Sequence, residues 1–225
     1  MLTFKHSVPL GRAGLAKLVP LMIVPLLLRS GRGLRHWFSM ALPFLLLIAG
    51  YLLFYEPTGG MLDSLNTFGS RWEFNGGIFT IAYYLSGPDN ATAHRICAIL
   101  IVSWIGLLAL LRRPLTEKVF WCFAGFILCS PVVHPWYLCW LAALLVLRWS
   151  TALYALFGLS MVANIVVYQF RAFGEWVDQP LLLLIEYLPV AALLIREVVR
   201  GEVLVQKEDD VAFLPLSDQP QKESP

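Results

Sequence analysis

His134 stands in "SPVVHPWYLCWL" (residues 130–141), inside an otherwise apolar run from Val119 to Leu147. A histidine there can donate or accept a proton near neutral pH. Lys17 lies in a second apolar run, "GLAKLVPLMIVPLLL", and Glu186 in a third, "LLLLIEYLP". Ionisable groups at such depth are costly in lipid and are functional candidates by default. Each also has a plainer explanation. Lys17 can snorkel to headgroups, Glu186 can pair with a cation, and His134 can be the tip of a proline turn beside an aromatic belt. Arg71, Glu73, Asn75 and Arg95 fall in one long polar connection and can line the same face. Cations at headgroup depth suit an anionic phosphate, and the rings of Trp136 and Tyr137 suit a sugar or an isoprenoid chain.

The elements holding these groups must be membrane helices. The 225 residues are 58% hydrophobic and 14% charged, against about a quarter charged in soluble domains. A net charge of +2 with no basic face gives no nucleic-acid footprint. Cys97, Cys122, Cys129 and Cys139 show no Cys-x-x-Cys spacing, so they read as small apolar residues; neither a metal site nor a cofactor is expected. No Gly-rich phosphate loop, nucleophile elbow or His-Glu-x-x-His helix is present.

Runs between charges give seven candidate spans: 11–28, 37–55, 96–111, 118–131, 135–147, 151–169 and 181–196. Prolines 20 and 25 should bend the first. Charge placement decides whether 118–147 is one span or two. With two, one side of the membrane receives Arg29, Arg32, Arg35, Arg112, Arg113, Lys118, Arg148, Arg196 and Arg200. The loops on the opposite side contain only Arg71, Arg95 and Arg171 among basic residues, as the positive-inside rule requires. The two-helix reading therefore predicts an outer turn at Pro131–Pro135.

In the outer connection, "EPTGGMLDSLN" reads as polar and turn-rich. Beyond it, Phe74, Ile78, Ile81 and Leu85 share helical spacing, which predicts a helix in the interface plane, weakened by Gly76-Gly77. The expected architecture is an all-α, polytopic bundle over residues 1–200, with about seven membrane helices and this interfacial helix. Residues 201–225, polar, acidic and proline-rich, are expected to be a disordered tail.

Together "GLAKLVPLMIVPLLL", "WEFNGGIFTIAYYL" and "SPVVHPWYLCWLAALL" resemble the later half of bacterial GT-C-fold glycosyltransferases, in particular the polyprenyl-phosphate-sugar-dependent mannosyltransferases and the glycosyltransferase 87 group. The likeness runs from about Gly14 to Leu147, and "SPVVHPWYL" is its most specific part. It implies a multi-pass inner-membrane enzyme with a cytoplasmic C-terminus. Such an enzyme transfers a hexose, mannose by preference, from a lipid-phosphate carrier to an acceptor at the outer face, with no cofactor. By the same resemblance Lys17 and His134 become lipid-phosphate contacts, and Glu73 and Asn75 donor or acceptor contacts, with Arg71, Trp136 and Tyr137 beside them.

The family's acidic catalytic loop belongs upstream of the segment resembled. The base is therefore unassigned, Glu73 being a weak candidate, and a missing N-terminal half or a partner subunit is implied. The rival expectation is a non-enzymatic membrane protein: a transporter or assembly subunit, or an inactive paralogue. Glu186 favours it, and the lack of an inverted repeat counts against a transporter.

Overall fold

The computed structural model describes residues 4–27, 31, 33–55, 60–146, 148–174 and 180–200. The protein is all-helical across these residues. The 201–225 tail lies outside them, as do Arg29, Arg32, Glu56, Glu175 and Asp178.

The chain opens with α1 (Phe4–Ala16) and then a 3₁₀ helix, Val19–Leu27. The expected first span is thus broken at Lys17-Leu18. Pro20 has no N–H to continue the α-helical ladder and disfavours the α conformation at Val19. Three longer segments follow that are long and apolar enough to cross a membrane: α2 (Leu34–Leu53), α5 (Asn90–Leu110) and the continuous stretch Thr151–Phe173. The last comprises α8 (Thr151–Leu159), a 3₁₀ turn and α9 (Asn164–Phe173).

Between α2 and α5 lie α3 (Gly60–Arg71) and α4 (Gly77–Leu85). Two expectations need correction here. The described part of the stretch read as turn-rich, residues 60–66, is helical, and Phe74 lies outside α4, in a bridge to Val132. Gly76 and Gly77 therefore stand at the start of α4 and do not weaken its interior. Its buried face is Phe79 and Ala82, against Ala93 and Cys97 of α5, whereas Ile81 and Leu85 are exposed.

The run 118–147 is two helices, α6 (Leu115–Cys129) and α7 (Leu138–Leu145), joined through Ser130–His134 and a short 3₁₀ turn. Pro131 and Pro135 fix the backbone at both ends of this connection. The final helix, α10 (Pro180–Val199), packs on α8. It includes Glu186, Arg196 and Glu197, and the first and last of these glutamates are buried. The core is built around α6. Phe120 and Ala124 pack on Leu141, Leu145 and Leu153, and Ile127 on Val133, Leu138, Leu156 and Val190.

Candidate functional site

Residues 72–77 are tied to the connection between α6 and α7. The Phe74 N–H donates to Pro131 O at 2.9 Å, and the Val133 N–H donates to Phe74 O at 2.7 Å. Ser130, just past α6, donates from Oγ to Val132 O at 2.8 Å, which shapes the turn that receives them. Asn75 then takes a left-handed backbone (φ 56°), a conformation that asparagine tolerates better than most residues. A Cβ on Gly76 would meet Ser130 O at 2.8 Å and Pro131 O at 2.9 Å. Those atoms are backbone and cannot swing aside, so only glycine passes there.

This path delivers Asn75 to α10. Its Nδ2 donates to both carboxylate oxygens of Glu186, each at 3.0 Å, and its carbonyl accepts from Tyr187 Oη at 2.7 Å. Glu186 is only 1% exposed, and an isolated carboxyl at that depth would be costly. The amide answers it, and because the carboxylate fixes which end of the amide faces it, Oδ1 is the amide's acceptor left over from that contact. A Cβ on Gly77 would meet the Tyr187 ring at 2.6 Å, so the second glycine admits Tyr187 as the first admits the turn.

On the opposite side of Phe74 is an aromatic stack. The His134 ring lies 4.3 Å from the Phe74 ring and 4.1 Å from that of Trp136, nearly parallel to both. Tyr137 meets its edge at 5.6 Å. Burial pushes the His134 pKa below its usual 6.5, which favours the neutral ring. Among the described residues its buried Nδ1 has no hydrogen-bond partner. Lys17 Nζ lies 5.4 Å from the Tyr137 ring centre and 5.0 Å from that of Trp140, within cation–π range. Lys17 and His134 thus share Tyr137 as a neighbour. The break between α1 and the 3₁₀ helix puts the lysine there.

A cavity of about 320 Å³ opens beside Asn75, lined by Glu73, Thr80, Tyr83, Tyr84 and Leu183 among others. Glu73 accepts from Asn90 Nδ2 at 2.8 Å. His94, one helical turn after Asn90, has one ring nitrogen 3.0 Å from Asn90 O and the other 3.1 Å from Trp72 O, and as a neutral ring it donates to one of the two carbonyls. It sits against the segment that carries Glu73. Arg71, Arg95 and Trp136 are exposed and do not line the cavity. Tyr187, Asn90 and His94 went unnoticed in the sequence. Only the Asn90/His94 spacing, which sets both on one face of α5, offered a signal for them.

No protein-family model, curated protein or solved structure matches this chain. The geometry therefore speaks by itself. A carboxylate, an amide and tyrosine rings around one small cavity suit a polyhydroxylated ligand. A lysine over the Tyr137 and Trp140 rings suits an anionic headgroup whose chain is apolar.

Proposed function

We propose that the protein is a membrane glycosyltransferase of GT-C type, or the C-terminal part of one, that moves a hexose from a polyprenyl-phosphate carrier to an acceptor. In this reading the bundle crosses the bacterial inner membrane about seven times, with the Asn75 site at the outer face and the C-terminus in the cytoplasm. The carrier lipid and the sugar donor are its partners, and a separate N-terminal half or subunit supplies the remaining catalytic groups.

The carrying observation is convergence. Lys17, the Phe74-Asn75 segment and the His134 turn, far apart in sequence, meet around Phe74 and Tyr137. Lys17 and His134 receive the lipid phosphate, Tyr137 and Trp140 flank its first isoprene units, and Asn75 and Glu73 take sugar hydroxyls. Mannose is preferred by the resemblance alone.

The test is transfer from radiolabelled polyprenyl-phosphate mannose in membranes, by this chain alone and with its in-frame upstream sequence. Lys17→Ala and Asn75→Ala should each abolish transfer while insertion is kept. Full transfer by both variants would remove the site. The rival, a non-enzymatic membrane subunit, draws support from Glu73, whose carboxylate already holds Asn90. Absence of transfer from inserted wild type in both arms would favour it.

A further inference from the structure

At the end of the bundle opposite the Asn75 site, two cavities meet. One, about 490 Å³, is lined by Arg112, Arg113 and Lys118 with Leu26, Leu111 and Leu115. The other, about 400 Å³, is almost wholly apolar and runs between α5, α6 and α10 past Trp104, Trp121, Gly125 and Leu194. Leu111, Arg113 and Lys118 line both. Along α6 the apolar slot extends from Glu117 to Leu128, about 16 Å at 1.5 Å per residue.

The local sequence makes this shape. Pro114 precedes α6, so the chain between α5 and α6 stays extended and presents Arg112 and Arg113 side by side at the mouth. Lys118, one turn into α6, is 5% exposed and donates to Ala109 O at 3.4 Å. Gly125 leaves the notch that Trp104 enters, since a Cβ there would meet Trp104 Nε1 at 2.2 Å. Trp104 Nε1 donates to Trp121 O at 2.7 Å, which holds the indole as one wall of the slot. Glu117 lines the slot too, and its carboxylate faces Arg148 at 3.5 Å.

We infer that these joined cavities bind one anionic phospholipid, its phosphate among Arg112, Arg113 and Lys118 and one acyl chain in the slot between α6 and α10. Charge complementarity selects the headgroup: among the described residues three cations line the mouth, and no acidic side chain does. The continuous apolar slot selects a ligand that carries a chain, which a free phosphate does not. The inference rests on the bundle spanning a membrane and not on sugar transfer, so the two fail separately.

The test uses the purified full chain in detergent, titrated with phosphatidylglycerol carrying brominated acyl chains, which quench nearby tryptophan fluorescence. Saturable quenching is expected. It should be lost from Trp104→Phe/Trp121→Phe, competed by unbrominated phosphatidylglycerol, and not competed by phosphatidylcholine. Arg112→Gln/Arg113→Gln should weaken binding by about 30-fold, taking about 1 kcal/mol for each cation at a lipid surface. Leu194→Trp, which fills the slot, should also abolish saturable quenching while leaving the cations in place. Equal competition by phosphatidylcholine would overturn the headgroup assignment, and full competition by glycerol phosphate would overturn the lipid. Unchanged affinity in both Arg112→Gln/Arg113→Gln and Leu194→Trp would overturn the site.

Discussion

Two glutamates on α10 have the same chemistry and opposite employment. Glu186 and Glu197 are eleven residues apart, just over three helical turns, so they share one face of the helix. Both are buried, at 1% and 6% exposure. Glu197 is answered by the polypeptide's own framework: Ser150 Oγ donates to it at 2.8 Å and the Ala152 N–H at 3.0 Å. Its carboxylate closes the N-terminus of α8, where unsatisfied amides and the helix dipole both favour negative charge. Glu186 is answered instead by a side-chain amide from a loop 111 residues away, and that amide lines a cavity. Burial of a charge thus marks a place that must be explained. The partner tells whether the explanation is architecture or a site.

That contrast can be broken experimentally, and the largest effect should come from Glu186. On the proposed function, replacing it with alanine frees Asn75 to turn, and a misplacement of about 1 Å would cost on the order of 100-fold in transfer. The membrane transfer assay, normalised to inserted protein, reads this. Equal loss in Glu197→Ala, normalised in the same way, would erase the distinction drawn here. Glu197→Ala is expected to act on stability, leaving two donors unanswered at a cost of about 1–3 kcal/mol. Thermal unfolding in detergent should show it. Ser150→Ala, which removes the cap that accepts from Leu153 N as well as the Glu197 contact, should cost about 1 kcal/mol.

The smallest effect should be at His134. Because burial lowers its pKa in the fold, the unfolded chain takes up the proton first as pH falls through 6.5. Its contribution to stability is therefore present above pH 6.5 and is lost as pH drops below it. The unfolding midpoint, followed from pH 7.5 to 5 on an approximate scale, should fall less in His134→Phe than in wild type. An identical decline in both would remove the stacked-histidine account.

Much of the scaffold was legible because local rules and charge agreed. Pro131 and Pro135 interrupt helices, and the arginine distribution favoured two helices over one there, so the α6–α7 turn followed from the sequence. His134, Lys17 and Glu186 stood out because polar groups in apolar surroundings are conspicuous, and Asn75 through its place in the outer connection and the family resemblance. Their geometry was not legible, since it depends on contacts between segments. Phe74 shares a helical period with Ile78, Ile81 and Leu85, and periodicity alone put it in α4. Hydrogen bonds to Pro131 and Val133, more than 50 residues away, draw it out instead. Lys17 misled in a similar way: hydropathy sees one apolar run across 11–28, whereas Pro20 divides it. Glu197 escaped notice because it adjoins Arg196 and the polar tail, although its spacing from Glu186 set both on one face.

The 111-residue separation of Asn75 and Glu186 also orders events during biosynthesis. A ribosome adding about 5–20 residues per second leaves Asn75 without its carboxylate for roughly 5–20 seconds after its own synthesis. During that interval the Phe74–Val133 tie can already form, because the α6–α7 turn emerges first. The loop is thus moored before it is locked, and α10 arrives as the last piece of a site whose other walls already stand.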